Sequence, residues 1–583
     1  MMKKVNLCLG ILFVVLLCGM VHHYIPSQLC QLEHSNLFLE DSDWFFTFLS
    51  RMGGMVDWIG FYFIQFFDRP WIGSLVFVFP VWMTCVMTAQ LMKKKLKSAA
   101  QWMPLSVCVS VFQLATLYDH NFHWSGAVAL FLALASLWAV SLVSKSSVRN
   151  LLFIIGIPLM AWLFGAVALV YVVGGMLLWA SKKNWIMTIL VPLFIYGGIN
   201  AVSCLQGWCP SWAVAFSPLM YYEPMLAFPT YHGLSWAAVL LLLGLSRFLP
   251  AMEKQKNVVK WSIHTLSWVL PCGLFMQYAP GLRNSSNLDI WSLNHYAYTE
   301  DWDGILNFLS ERSMNNYLFM NYANMALAEK GQLGDLAFHY RPRGVNALKV
   351  PANSTGSIRL LVSDVNYTVG CIAESQQHAF EAQTTFPNSL GIQTLKRLVK
   401  TNLIFGHYAV AEKYLALIGK TTFHKDWAER YRGFLYNDGA VEKDAELGEK
   451  RRFLSNSTRF CMFNGWLPDL EELAASNPDN EKALVYLGLT HLLNKDMNGF
   501  KAFVEKYYGK EDLKQWPAVF QQGMIALMHQ SGEAWESKDF SPQVMNEYKK
   551  YLSLYMQNRQ RSNLKNVMNS SFGHTFWYYL MFV

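Results

Sequence analysis

The 583-residue sequence is poor in charge, because Asp, Glu, Lys and Arg together make up 15% of it, whereas 53% is hydrophobic. No P-loop, G-x-S-x-G, H-E-x-x-H or Rossmann fingerprint occurs in a fitting context, which argues against the nucleotide-binding, hydrolase and zinc-protease classes that these motifs mark. Its 10 cysteines form no C-x-x-C pair, so we expect no thiolate metal site. The net charge of +8 gathers at the ends of apolar runs, so we expect no nucleic-acid partner.

What the chain has instead is long apolar runs in its first half. Charge-free stretches of 17 to 30 residues recur up to about residue 280, after which charged residues return at ordinary globular density. We therefore predict an all-α protein with a transmembrane domain at 1–280 and a soluble helical domain at 281–583.

Several runs have the length of about 20 residues that a bilayer core requires. Val5–Ile25, after a basic start, could be a signal peptide, but it lacks a small-residue cleavage site and is interpreted as a retained helix. Further spans are predicted at 71–92, 100–118, 124–143, 186–201, 233–250 and 260–278.

The piece 151–181 carries no charge and is too long for one ordinary helix. Lys145 and Arg149 precede it, and Lys182 and Lys183 follow it, so both of its ends should face the cytoplasm. The sequence therefore predicts a hairpin or a re-entrant pair of short helices.

Basic residues also orient the whole domain. The lysines at 3–4, 93–97, 182–183 and 254–260 share one side if the N-terminus is inside, whereas the opposite loops before residue 280 offer only Arg51 and Arg69. We predict a multi-pass inner-membrane protein with about nine crossings and a periplasmic C-terminal domain. In the outward loop 202–232, Cys204 and Cys209 could form a disulfide, and the sequence leaves this open.

The soluble half shows the pattern of stacked helical hairpins. The clearest unit, 477–508, has a Pro-initiated helix, a short turn and a second helix presenting Phe500 and Phe503, and its spacing resembles a tetratricopeptide-type repeat. A second unit is 389–419, and looser units are 302–333 and 361–386. Solenoids of this kind commonly bind protein partners.

Candidate functional residues begin in the first outward loop. Glu40, Asp41 and Asp43 precede two aromatic-rich segments within 44–67, which are interpreted as helices at the membrane surface. Placing acidic side chains near a bilayer costs free energy, so acids at this position are candidates for a functional role.

The second outward loop, 117–124, is short and places Asp119, His120 and His123 beside the membrane. Carboxylates and imidazoles facing each other across the two loops could bind a divalent cation or supply a general base. Arg51, Tyr222 and Glu223 could bind substrate from the same side. In the alternative interpretation, Asp41 or Asp43 only caps the helix that follows, and the histidines are ordinary interface residues.

This layout resembles the GT-C class of polytopic glycosyltransferases, which share the inward N-terminus, the acids opening the first outward loop and the interfacial helices. The resemblance implies a polyprenyl-phosphate-linked sugar as donor at the outer face of the membrane, with Asp41 or Asp43 as base or metal contact and Asp119 as partner. Residues 39–73 and the repeats also resemble an uncharacterised family of bacterial membrane proteins over nearly the full length, and that likeness implies no activity.

Two other functions stay open. A non-enzymatic scaffold would use the membrane half as an anchor and the repeat domain to dock a protein partner in envelope assembly. A transporter would use the interrupted segment 151–181 to line its substrate path.

Overall fold

The computed structural model describes residues 2–24, 26–96, 102–119, 122–181, 184–222, 230–249, 255–284, 286–353, 355–386, 390–455, 465–509 and 513–583. The described structure is about 77% helix and contains no strand, so the all-α prediction is confirmed. Within these ranges, the extended-chain pairing is limited to an isolated antiparallel bridge between Phe122 and Tyr222.

Contacts divide the chain into two compact units. The first contains residues 1–291 together with the short segment Lys420–Phe423, and the second contains residues 292–419 and 424–583. This division falls later along the chain than the change in composition at residue 280, from which the two domains were predicted.

Helices of the first unit occur within every predicted span and within the predicted interfacial segments. They are α1 Met2–Tyr24, α2 Pro26–Ser35, α3 Ser42–Leu49, α4 Gly54–Ile64, α5 Pro70–Lys95, α6 Val107–Ala115, α7 Ser125–Ser141, α8 Ser146–Phe164, α9 Ala168–Trp179, α10 Val191–Leu205, α11 Trp212–Phe216, α12 Thr230–Leu245 and α13 Asn257–Asn284, with α14 Ser286–Tyr298 containing the division. Turns of 3₁₀ helix extend α6 at both ends, and a π-helical turn, Ile186–Leu190, precedes α10.

By length and composition, three helical segments of the described chain could cross a membrane: Trp71–Lys94, Ser146–Trp179 and Ile186–Leu205. A bent pair, Cys8–His23 with Pro26–Ser35, adds a fourth if its two helices count as one span. The nine crossings therefore stay a prediction, since most of the other apolar helices are shorter than 18 residues.

Ser146–Trp179 is folded back on itself. The ring of Phe153 in α8 lies 5.3 Å from the rings of both Tyr171 and Trp179 in α9. In one continuous helix, Phe153 would be several turns away from both residues. The fold occurs at Gly165, where φ is +79°, a conformation that L side chains rarely adopt. The structure therefore has the helical hairpin that the basic flanks predict for 151–181.

Large apolar side chains remain exposed on the outer helices of the first unit. Phe194 is 83% exposed, Leu205 78% and Val258 76%. Exposure of such large apolar side chains fits a unit that contacts a membrane or another protein.

The second unit is a series of helices, several of which pair with the next one through a short turn. They are α15 Trp302–Ser310, α16 Tyr317–Glu329, α17 Leu333–Leu336, α18 Gly356–Val369, α19 Ile372–Thr385, α20 Ile392–Phe405, α21 Tyr408–Ile418, α22 Lys425–Arg432, α23 Asp438–Lys443, α24 Ala445–Arg452, α25 Trp466–Ser476, α26 Glu481–Leu493, α27 Met497–Tyr507, α28 Ala518–Ser531, α29 Pro542–Asn558, α30 Leu564–Phe572 and α31 Phe576–Phe582. Left-handed Gly370 and Gly406 end α18 and α20, so the next helix starts at once.

The unit predicted at 477–508 is helical on both sides of a turn at 494–496, and Phe500 and Phe503 are buried as expected. Its first helix does not begin at the proline, however. Asn480 caps it by accepting a hydrogen bond from the Ala483 amide at 3.1 Å, because amides in the first turn of a helix need an acceptor from outside the helix and a proline side chain offers none.

The C-terminal helix α31 packs as a cap on the second unit. Phe576 is fully buried, the Trp577 indole donates to the Gln522 carbonyl at 2.9 Å, and the Tyr579 hydroxyl donates to the Leu493 carbonyl at 2.6 Å. The aromatic end of the chain thus closes the hydrophobic core of this unit.

Replacing Phe576 by alanine should lower the free energy of unfolding of the second unit by about 3–5 kcal/mol, because a fully buried phenyl ring is lost and a cavity remains. Thermal unfolding of the full chain in detergent measures this effect. Phe380→Ala is the matched control, since that ring is 54% exposed. Equal losses in the two variants would contradict the capping role.

Candidate functional site

The acid Asp41 is used as a helix cap. Its backbone is extended, and its carboxylate accepts a hydrogen bond from the Asp43 amide at 3.0 Å at the start of α3. The ammonium group of Lys420 also pairs with this carboxylate, and this hydrogen bond lowers the pKa of Asp41 below its ordinary value. A carboxylate held in this way is a weak proton acceptor, so the capping interpretation accounts for Asp41.

Glu40 is engaged by the same segment of the first unit. Its carboxylate accepts a hydrogen bond from the Thr422 hydroxyl at 2.6 Å, and its amide donates to the Lys420 carbonyl at 2.7 Å. Asp43 lies exposed in the first turn of α3, where a negative charge interacts favourably with the helix dipole.

Arg51 is held by an acid that the sequence analysis did not select. It pairs with Asp57 at 3.1 Å, and the Ser125 hydroxyl donates to the other Asp57 oxygen at 2.8 Å. Helices α4 and α7 approach closely at Gly60, where a Cβ atom would lie only 2.9 Å from the Ser125 Cβ. An aspartate within the otherwise apolar α4 was the sequence signal that marked this position.

Asp119 is brought together with Tyr222, as the sequence predicts for residues on the same face. The Tyr222 hydroxyl donates to the Asp119 carboxylate at 2.9 Å, and the His123 amide donates to the Tyr221 carbonyl at 2.9 Å. Burial raises the pKa of Asp119 above its ordinary value, although the hydrogen bond from Tyr222 acts in the opposite direction. His120 and Glu223, the other two predicted residues of these loops, lie outside the described residues.

The turn that carries Tyr222 also holds the tip of the α8–α9 hairpin. The Tyr221 hydroxyl donates to the Phe164 carbonyl and accepts a hydrogen bond from the Val167 amide at 3.2 Å. The Gly53 amide donates to the Trp162 carbonyl at 2.8 Å. Segments 51–57, 122–125, 162–167 and 218–222, together with Asp119, therefore meet in one set of contacts, which we call the loop layer.

Two surface grooves of the described structure lie away from these acids. One, of about 560 Å³, is lined by residues 406–410 and Tyr436, and the other follows α13 between Asn257 and Val269. Among the described residues, no group of three or more His, Cys, Asp or Glu side chains is placed to hold a metal ion. The described side chains thus do not by themselves form a divalent-cation site.

A model of one protein family matches residues 1–583, which is the whole chain. The chain belongs to the family of unknown function DUF6057. No curated protein and no solved structure matches it. The resemblance to an uncharacterised family is thereby confirmed, and it brings no activity to the residues of the loop layer.

This DUF6057 member also buries polar side chains of α2 that the sequence analysis did not select. Gln28, Glu33 and His34 are each at most 3% exposed, and the His34 ring nitrogen lies 3.8 Å from the Glu33 carboxylate. Polar side chains among apolar helices are candidate functional residues, and the polar residues at 28–34 are already visible in the sequence.

The second unit of the DUF6057 chain contains a buried charged cluster. Lys349 pairs with Glu374 at 3.0 Å and lies over the Trp466 ring, and the carboxyl groups of Glu374 and Asp469 lie close enough to shift each other's pKa. Burial and the neighbouring Glu374 carboxyl raise the pKa of Asp469 to about 8, whereas, against the effect of burial, Asp469 and Lys349 together lower the pKa of Glu374. One proton is thus held between two carboxyl groups that are 3% and 4% exposed.

Replacing Tyr221 by phenylalanine should leave the Phe164 carbonyl and the Val167 amide without their partner, at a cost of about 1–3 kcal/mol. We expect faster hydrogen exchange in peptides covering 164–170 of the purified protein. Tyr62→Phe is the control, because that ring is 39% exposed. Unchanged exchange at the hairpin tip in Tyr221→Phe would refute the role of this hydroxyl.

The carboxyl pair predicts a pH dependence of stability. Between the unfolded carboxyl pKa of about 4 and the folded value of about 8, the folded chain binds more protons through Asp469, so the free energy of unfolding falls as the pH rises. The slope is on the order of 1 kcal/mol per pH unit. Asp469→Asn should flatten this dependence and be more stable than the wild type near pH 8.

Unfolding midpoints measured from about pH 6.5 to 8 test this prediction, because His378, whose pKa burial lowers to about 4, makes stability rise with pH only below its unfolded pKa of about 6.5. Lys450, whose pKa burial lowers to about 8, adds its own dependence mainly above this range. Asp479→Asn at an exposed position is the control. A pH profile of Asp469→Asn that coincides with the wild type would show that the pair does not share a proton.

Proposed function

We propose that the protein is a multi-pass inner-membrane protein with about nine crossings, whose second unit is a tetratricopeptide-like domain on the periplasmic side that docks a protein partner. Three observations support the membrane part. The helices follow the apolar runs, the hairpin turns at Gly165 between two basic flanks, and large apolar side chains of the first unit are exposed.

The groove beside the α20–α21 turn supports the docking part. Tyr436 is 64% exposed and Val410 41%, and the rings of Tyr408 and Tyr436 lie 5.4 Å apart. The Tyr436 hydroxyl donates to Glu412 at 2.9 Å, which fixes an aromatic ring that is otherwise open to solvent. Rigid exposed aromatic rings are the side chains that most often anchor protein interfaces.

The backbone at Tyr436 carries the proposal. Its φ is +55°, a conformation that costs a non-glycine residue free energy and persists where the surrounding structure enforces it. Such strain at an exposed aromatic residue supports use of that ring in binding. The capping of α3 by Asp41 also favours docking over an enzymatic function, because it engages one of the acids that the enzymatic hypothesis uses.

A photoreactive phenylalanine analogue at Val410 or at Tyr436, in the full chain in its own cells, tests the docking surface. We expect both positions to form the same adduct with one partner protein, because both line the groove. The same analogue at Met556, which is 57% exposed on α29, is the control and should give no such adduct. Absence of an adduct at 410 and 436, or the same adducts at all three positions, would refute the proposal.

We also propose a second function, a glycosyltransferase of GT-C type that acts on a polyprenyl-phosphate-linked sugar. Asp119 is the observation that favours it. This half-buried carboxyl is oriented by Tyr222, and its raised pKa would make it a better base than a solvated aspartate. Arg51, at the edge of the loop layer, is 43% exposed beside Asp57 and would meet the donor phosphate.

In this reaction, the Asp119 carboxylate would take the proton from a hydroxyl group of the acceptor. The acceptor oxygen would form a bond to the anomeric carbon of the sugar, while the bond from that carbon to the phosphate oxygen breaks and the polyprenyl phosphate leaves with the electron pair. Tyr222 would keep the carboxylate aimed at the acceptor.

Asp119→Asn should abolish transfer with little change in stability, because the amide keeps the shape and still accepts from Tyr222 but takes up no proton. Surface glycans and lipid-linked sugars of cells carrying the variant measure this outcome, with accumulation of the lipid-linked donor expected. Asp479→Asn is the matched control. An unchanged glycan profile in a folded Asp119→Asn protein would eliminate this function.

A further inference from the structure

A tight turn follows α10 in the first unit. After Leu205 the chain reverses at Gly207, where φ is +73°, and the amides of Trp208 and Cys209 both donate to the Ser203 carbonyl, at 2.9 and 3.2 Å. This is the usual way in which a left-handed glycine closes a helix C-terminus. The turn places Cys209 back against the last helical turn, beside Cys204.

Burial raises the pKa of the Cys209 thiol, and the neighbouring Cys204 thiol raises it further. The Cys209 thiol donates to the Ser211 carbonyl at 3.6 Å, so its sulfur is oriented by the loop and available to the Cys204 thiol. Cys209 is 3% exposed, whereas Cys204 is half-buried. Both thiols are unbridged in this structure.

We propose that Cys204 and Cys209 form a site of oxidative modification, in which a disulfide-bearing oxidant such as oxidised glutathione converts the two thiols into a disulfide. The proposal rests on the turn geometry and holds whichever membrane face the turn occupies. It is therefore independent of the docking and transferase functions.

The exchange needs no other reactant. The Cys204 thiolate attacks the oxidant, forming a mixed disulfide and releasing one thiol, and the deprotonated Cys209 then attacks the Cys204 sulfur and releases the second thiol. Two protein thiols and one oxidant disulfide thus become one protein disulfide and two oxidant thiols. Cys204 attacks first because it is the more accessible of the two, and because burial raises the pKa of Cys209.

The crosslink would act on the α8–α9 hairpin. The Trp208 ring, between the two cysteines, contacts the Trp162 ring of α8 edge-on at 5.2 Å, one turn before the hairpin tip. A disulfide would hold this indole in place when the turn opens, although the gain is modest because the closed loop is short.

The test uses the full chain in detergent, reduced, freed of reductant and incubated with oxidised glutathione. Remaining thiols are then alkylated with N-ethylmaleimide, and peptides are identified by mass spectrometry. We expect a linked Cys204–Cys209 peptide that carries no alkyl group and becomes doubly alkylated after reduction. Cys371, which is fully buried in the second unit, should show no oxidant-dependent change and serves as an internal control.

Cys204→Ser should leave Cys209 alkylated or bound to glutathione, and no linked peptide should form. Hydrogen exchange at 162–167 should be faster in the reduced wild type than in its oxidised form. Reduction should not change this exchange in Cys204→Ser. Full alkylation of both cysteines after oxidant treatment, or glutathione on both without a linked peptide, would overturn the proposal.

Discussion

A helix that reverses direction among apolar neighbours leaves backbone N–H and C=O groups that need partners within the protein. At Gly165 these partners come from one tyrosine, since the Tyr221 hydroxyl serves both the Phe164 carbonyl and the Val167 amide. The Met220 sulfur lies 3.2 Å from the Ala166 amide. Tyr222, the next residue, donates a hydrogen bond to Asp119. The hairpin and the loop layer are therefore stabilised together.

Local patterns account for much of what the sequence predicts correctly. The positions of the hairpin and of the paired helices follow from apolar runs, basic flanks and glycines, which act over a few residues. The capping role of Asp41 was already one of two interpretations, because an aspartate before an aromatic helix often caps it.

Contacts between distant parts of the chain could not be derived in this way. Lys420 pairs with Asp41 and Asp469 meets Glu374 only because the fold brings these segments together. A carboxyl pKa of about 8 depends on burial and on a second carboxyl, and neither is visible in the residues next to Asp469. Asp57 was visible as an acid in an apolar helix, but its partners Arg51 and Ser125 required α4 to cross α7 at Gly60.

The two proposed functions share one requirement, which is that the loop layer and the second unit lie on the same side of the membrane. Single cysteines at positions 43, 145 and 495, in intact cells treated with a membrane-impermeant maleimide and mapped by mass spectrometry, test this most directly. The account predicts labelling at 43 and 495 from outside, and labelling at 145 only after the membrane is opened. Labelling of 43 and 495 from opposite sides, or of 43 and 145 from the same side, would contradict it.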